Sequence, residues 1–424
     1  MKGSTSRTAF DVGCILLVLF LSSAAVAGQE CALRLVPGAS LQDAVDSVQS
    51  GAVICLSPGE YAGPLTITKS LSIRGAGGSR DEVKIIGKNR EPIAVLVRAA
   101  GRIAVSFENL TIEANTTTGL FVDGVISLTL EGVHVTRAER VHGAGLLAIG
   151  SVDLAAADCL FSDCGDPSNP RRDSGINGVG LAGDSSARFE RCTFRGNWKG
   201  ACVVNNSQAE FLDCLFADNV AIGLQTIGVV RVRAERCAFL GNGTGFSAYS
   251  GPGSILLRDS TFSSNDQGIA ADMWSWLKSG DPREAPTVVI SGCRLLTNGT
   301  GILALGWSEM TVSNSEISAS LGVGVLAQES AKLEVTECRI IDGGGDGFYL
   351  EGKPTVEIHA TEILRNAGYG IRAAGKECTP WVARLLRFAG EISGGGNVVP
   401  GRFVTDGNKE GSTCPGSLEF LHDS

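Results

Sequence analysis

Four stretches of the chain can be laid one above another without a gap: ARFERCTFRGN ending at Asn197, AEFLDCLFADN at Asn219, VRAERCAFLGN at Asn242 and ILLRDSTFSSN at Asn265. Each has alternating apolar positions, then a Cys or Ser, an apolar residue two further on, and Asn three beyond that. With the Cys-type position as reference, the marks fall at Leu110, Val133, Cys159, Cys192, Cys214, Cys237, Ser260, Cys293, Ser315, Cys338 and Thr361. The steps are 22 or 23 residues, with one of 26 and two of 33. A glycine then opens the next apolar run, at Gly223, Gly245, Gly268, Gly301, Gly324, Gly347 and Gly370. A period near 22 built of three short β-like runs, with no helical spacing, predicts one coil of a parallel β-solenoid. A single coil cannot bury its inner face, so coils stack. Parallel strands ~4.8 Å apart then place the reference residues above one another. A leucine-rich repeat shares the period but needs a leucine pattern that this chain lacks. The marks, with an earlier coil around Leu71, make about twelve coils and a rod on the order of 55 Å long.

Composition agrees with a long core. The chain has 424 residues, of which 43% are hydrophobic, enough to bury a large interior. Its 56 glycines follow no Gly-X-Y period, which excludes collagen. The formal charge is −9 with no dense basic run, so nucleic acid is not an expected partner. Residues 1–27 read as a secretory signal: Lys2 and Arg7, an apolar stretch over 14–21, and Ala25-Val26-Ala27 as cleavage site. That stretch is short for a membrane span, and no later window is long enough to span. The mature chain is therefore expected to lack a transmembrane segment and to be secreted, periplasmic or at the cell surface. Its oligomeric state is left open.

Three segments follow: the signal over 1–27, the β-helix with an N-terminal cap over 28–375, and a C-terminal cap segment over 376–424. Residues 40–49 (SLQDAVDSVQ) predict a capping helix, with Ser40 as N-cap and Leu41, Ala44, Val45 and Val48 on one face. Trp381, Phe388, Phe403 and Phe420 mark the tail. The ladder cysteines are expected to be buried and reduced, although stacked sulfurs on adjacent coils can also meet the geometry of a bridge. Cys31, Cys55, Cys378 and Cys414 lie outside the coils of an exported chain and are expected to pair as Cys31–Cys55 and Cys378–Cys414. The recurrent asparagines, Asn115, Asn197, Asn219, Asn242, Asn265, Asn298 and Asn366, are read as turn residues. Asn115, Asn242 and Asn298 also stand in N-x-S/T contexts, which matter only in a glycosylating host.

The stretch LQDAVDSVQSGAVICLSPGEYAGPLTITKSLSIRGAG and the coils after it resemble the right-handed parallel β-helix proteins of the pectin-lyase-like superfamily. The resemblance covers roughly residues 33–375. It implies that chemistry, where present, sits on the outer face of the strand run following the turn asparagine. Outward positions there include Tyr249, Asp272, Tyr349 and Glu351. Asp272 and Glu351 are its only carboxylates, about 14 Å apart by strand spacing, beyond the roughly 5–10 Å of glycosidase pairs. The active-site signatures of the superfamily's pectinesterases, polygalacturonases and alginate epimerases are missing. His142 sits in His-Gly-Ala-Gly, and His134, His359 and His422 show no metal-ligand spacing.

The two 33-residue steps carry insertions, GDPSNPRRDSG over 165–175 and MWSWLKSGDPREAP over 273–286. These are expected to wall opposite sides of a groove. One wall joins Arg137, Arg140, His142, Arg171, Arg172, Arg195 and Lys199 into a basic strip, and the other offers Trp274 and Trp276. Aromatic planes stack on sugars and guanidinium groups pair with carboxylates. The bland readings are a hydrophobic loop cluster for the tryptophans and a rim paired with Asp163, Asp166 and Asp173 for the arginines. The sequence reading is a binder of polysaccharide or cell-surface glycan through Arg171, Arg172, Asp272, Trp274, Trp276, Tyr249 and Tyr349. One alternative is a polysaccharide lyase with Arg171 or Arg172 as catalytic base and calcium as metal cofactor at Asp272. Another is a non-catalytic accessory or structural protein.

Overall fold

The computed structural model describes residues 30–88, 91–138, 143–165, 177–271 and 285–375, with residues 378, 391–395, 397, 408, 410–415 and 418 beyond them. The signal-like segment 1–27 lies outside the described residues, as do Trp381, Phe388, Phe403 and Phe420. Each coil contributes one strand to each of three faces. The coil starting at residue 186 lays Ser186–Glu190 on face 1, Thr193–Arg195 on face 2 and Lys199–Val204 on face 3. The next coil repeats this with Gln208–Leu212, Leu215–Ala217 and Ile222–Ile227. All three pairings are parallel, with Phe189 opposite Phe211, Phe194 opposite Phe216 and Cys202 opposite Gln225.

Face 2 is a sheet of 13 strands, so the solenoid has about thirteen turns rather than twelve. The chain was expected to leave the repeat at Gly375, and it does not. Glu391–Gly395 pairs with Thr355–His359 on face 1, and Gly411–Cys414 pairs with Tyr369–Ala373 on face 3. Asn397 Oδ1 accepts from Thr361 N at 3.0 Å, 36 residues away, and Asn408 Oδ1 accepts from Asn366 N at 2.9 Å. The described residues of the tail thus form an irregular last coil. Its spacing and the Asn at the Cys-type position hide it from the period.

The interior is made of stacked columns. On face 2, Phe194, Phe216, Phe239 and Phe262 lie ring over ring with centroids 4.6, 4.7 and 4.4 Å apart and near-parallel planes. The asparagine column solves the backbone problem at the next turn. Asn219 Oδ1 accepts from the backbone N and from Nδ2 of Asn197, at 3.1 and 3.2 Å, while its own Nδ2 donates to Phe194 O at 3.0 Å. Asn242, Asn265 and Asn298 repeat the pattern. Asn242 and Asn298 are buried and carry no glycan in this fold. Asn115 is not a rung: its Nδ2 donates to Glu113, and Ala114, Ala138 and Cys164 form the cluster at this corner of the earlier coils.

The glycine opening each face 3 strand is required by close approach. A Cβ on Gly223 would lie 2.6 Å from Gly245 O. Between faces 1 and 2 the chain turns on one residue of left-handed φ per coil, including Asp158, Arg191, Asp213, Arg236 and Asp259. Their signs alternate, so the column doubles as an ion-pair ladder. Arg191 grips Asp158 in two-point fashion at 2.8 and 2.7 Å, and Arg236 grips Asp213 at 2.8 and 2.9 Å.

A helix spans Leu41–Ser47, with Asp43 N donating to Ser40 Oγ at 3.2 Å and Leu41, Ala44 and Val45 buried in the common core. Tyr61, within Gly-Glu-Tyr, is a core residue whose hydroxyl lies 2.9 Å from Leu35 O and 2.8 Å from Ser57 O. Cys31 is joined to Cys55 and Cys378 to Cys414. Eight further cysteines, six of them on the ladder, are unbridged and buried. Burial pushes the Cys164 thiol up to about 12 and those of Cys202 and Cys293 up to about 11, which suppresses the reactive thiolate. Because all eight are buried and closed to reagent, thiol alkylation at neutral pH should modify none of them in the native protein and all of them in denaturant. Rapid native labelling of Cys214 or Cys237 would contradict this packing.

Candidate functional site

The face 3 strands place one outward column in strict register: Cys202, Gln225, Ser247, Ala270, Leu303, Leu326, Tyr349 and Arg372. The sequence reading made this column the floor of an open groove. Its middle is not open: Cys202, Gln225, Ser247, Ala270 and Leu303 are all buried. The side chains explain the difference, because a strip this rich in small and apolar groups gains by leaving water. Tyr249 is half-buried beside it.

The character changes at the C-terminal end. Gln328 and Glu351 sit opposite one another, as do Tyr349 and Arg372. Gln328 Nε2 donates to Glu351 Oε2 at 2.6 Å. The Arg372 guanidinium lies over the Tyr349 ring, 5.2 Å from its centroid, and 5.7 Å from that of Tyr369. Its Nη2 is paired with Asp346 Oδ2, and Asp346 Oδ1 accepts from Tyr369 N at 2.8 Å. Asp346 is 1% exposed and Glu351 4%, whereas Tyr349, Tyr369 and Arg372 are half-buried.

These contacts set the electrostatics. Burial pushes the Asp346 carboxyl up, against the pull of Arg372 and the Tyr369 amide. Burial also raises the Tyr349 phenol, helped by the Glu351 charge and opposed by Arg372. Arg372 is thus a cation fixed from below by an acid and flanked by two rings, with its Nε lacking a hydrogen-bond partner. The guanidinium N–H groups not turned to Asp346 suit charge-assisted recognition of a carboxylate. The arrangement does not suit proton abstraction, since the nearby phenol is harder to ionise than a free tyrosine.

The other predicted residues divide into two groups. Arg171, Arg172, Asp272, Trp274 and Trp276 lie outside the described residues, as do Arg140 and His142. The described members of the basic strip do not line one wall. Arg137 is the penultimate residue of a face 2 strand and pairs with Glu113 at 2.6 Å. Arg195, also on face 2, pairs with Asp218 at 3.1 Å, and Lys199 starts a face 3 strand. Among the described members, Arg137 and Arg195 are held in local ion pairs and Lys199 lies on another face, because successive faces of a coil point in different directions. Sequence reasoning missed Asp346 and Tyr369, although Gly347 and Gly370 mark their places just before face 3. Among the described residues no group of three or more metal-type side chains converges, and no helix is long and apolar enough to cross a membrane.

In the structural comparison the chain is similar to the catalytic unit of a GH87 α-1,3-glucanase from Streptomyces thermodiastaticus, at 14% identity and TM-score 0.48. That match covers 84% of this chain but only 64% of the glucanase chain. It is similar to a mannuronic acid specific polysaccharide family 6 lyase from human gut microbiota, at 15% identity, 85% and 87% coverage and TM-score 0.47. It is also similar to the A-module of the mannuronan C-5 epimerase AlgE6 from Azotobacter vinelandii, at 14% identity, 84% and 92% coverage and TM-score 0.43. No curated protein sequence matches significantly. The family model for the right handed beta helix region matches residues 94–279 and 277–382. With that match spanning well over half of the 424 residues and the coils stacked in parallel along it, the chain belongs to the right-handed β-helix family.

Proposed function

We propose that the polar end of face 3 binds acidic polysaccharide, with Arg372 as the carboxylate anchor and Tyr349 and Tyr369 as the apolar surfaces beside it. The observation that carries this reading is the fixed guanidinium: Asp346 and the two rings hold it in place before any ligand arrives. Pre-ordering matters because a free arginine loses side-chain entropy on binding. The signal read at residues 1–27 sets the encounter outside the cytoplasm. Trp274, Trp276, Arg171 and Arg172 extend the same proposal to the insertions.

The test is titration of a polyuronate and of a neutral glucan into the full chain. A charge-assisted pair contributes about 1.5–3 kcal/mol, so Arg372→Ala should weaken polyuronate binding by about 10- to 100-fold. Arg372→Lys keeps a charge above Asp346 but loses the guanidinium N–H groups, and should also bind less tightly. The loss should shrink at high salt. Unchanged polyuronate affinity in both variants, or a wild-type preference for the neutral glucan, would overturn the reading. Ultraviolet absorbance of unsaturated uronate products in the same samples addresses the lyase alternative. Turnover abolished by Arg171→Ala or Arg172→Ala would replace binder with enzyme.

A further inference from the structure

His134 and Ser162 stand 28 residues apart in sequence but on adjacent coils of face 2. His134 sits one position beyond its coil's reference residue and Ser162 three beyond its own, so both alternate outward, away from the inward Val135 and Phe161. Their side chains meet diagonally, with His134 Nε2 2.9 Å from Ser162 Oγ. The other ring nitrogen, Nδ1, faces Asp81 Oδ1 at 3.7 Å. Asp81 arrives from the short turn Arg80–Glu82, which Ser79 caps and Thr111 Oγ1 tethers by donating to Arg80 O at 3.1 Å. Three segments therefore bring a hydroxyl, an imidazole and a carboxylate together.

We propose that Ser162, His134 and Asp81 form an acyl-transfer site on the outer surface of face 2, acting on esters of small acyl groups. Ser162 Oγ attacks the ester carbonyl carbon while its proton passes to His134 Nε2. The carbon–oxygen bond to the alcohol then breaks, and the alcohol leaves with the proton from His134. Water attacks the acyl-Ser162, giving its proton to His134. The acid departs, and the proton returns to Ser162 Oγ. Asp81 orients the ring and stabilises its charged form. The acyl group must be small because Ser162 is only 6% exposed.

The charged surroundings fit this assignment. Burial lowers the His134 pKa from the ordinary 6.5, opposed by Asp81 and Asp163 and reinforced by Arg80, so the ring is neutral and able to accept at neutral pH. At rest Ser162 Oγ also donates to Asp163 Oδ2 at 2.7 Å. Rotation about its Cβ–Oγ bond carries the same proton to His134.

The experiment is incubation of the full chain with p-nitrophenyl acetate, followed by peptide mapping of the acetyl group and by nitrophenolate release. Acetylation should fall on Ser162 and drop at least about 100-fold in His134→Ala, the scale of a lost general base. His134→Gln preserves a polar contact to Ser162 without a base of that strength and should be equally impaired, which covers the case of an unfolded alanine variant. Asp81→Asn should slow the reaction. The rate should rise with pH to a plateau with its midpoint below 6.5. Absence of acetyl on Ser162, or acetylation that survives His134→Gln, would overturn the assignment. Neither outcome bears on polysaccharide binding at Arg372, which lies on another face.

Discussion

Asn219→Ala should destabilise the central coils by about 3–5 kcal/mol. The side chain accepts from Asn197 N and Nδ2 and donates to Phe194 O and Asn242 Oδ1, the last at 2.8 Å. Alanine keeps the turn but leaves the Asn197 amide without a partner in a buried site and takes from the Phe194 carbonyl the second of its two bonds, the first being its ladder bond on face 2. An orphaned group costs about 1–3 kcal/mol, and the lost side-chain volume adds a packing term. Because each coil is held mainly by its neighbours, the damage should concentrate there. Hydrogen exchange reads this directly, since the Asn197 amide should lose protection well before amides in distant coils. A loss below about 1 kcal/mol, with Asn197 still protected, would show that water replaces the side chain and that the column is not energetically important.

Phe216→Ala should cost a similar amount, about 3–5 kcal/mol, by a different route. Phe216 is fully buried between Phe194 and Phe239 and meets Phe211 edge-on at 5.4 Å and 67°. No polar group is orphaned, so the penalty is lost transfer energy, lost ring contacts and a cavity in a column that cannot close without shortening the coil spacing. Phe216→Leu fills most of the space and should recover more than half of the loss. Denaturant unfolding of the three proteins, followed by near-ultraviolet dichroism, gives the comparison. Equal destabilisation by Leu and Ala would mean that ring stacking, not volume, holds the column.

The fold was legible because solenoid stacking is a nearest-neighbour property. The Cys-type marks and the turn asparagines recur at the period that puts one coil above the next, and the inward columns follow from that alone. Asn115 has the left-handed backbone of a turn, φ 49°, but the spacing could not tell that Ala114, and not Asn115, is the residue buried at that corner. The last coil was missed because Asn397 and Asn408 preserve the hydrogen bonds of two ladders while abandoning their spacing. The site was far less legible. The outward list contained Tyr349 and Glu351, yet not Asp346, whose place in the turn gives no sign that it will pair with Arg372 one coil later.

By itself the sequence determined the coil, the parallel stacking and the identity of the inward columns, since alternation assigns a residue to the inside without knowledge of anything distant. Only the tertiary structure decided which outward residues face water and which meet. Cys202, Ser247 and Ala270 alternate outward and are nonetheless buried, because exposure depends on packing that no local pattern encodes. Asp81, His134 and Ser162 converge from three segments because the turn at 80–82 brings Asp81 beside the first position of one face 2 strand while Ser162 stands at the third position of the next. Repetition specifies height along the rod. Lateral meeting across its surface depends on loop length and packing, which are long-range consequences of folding.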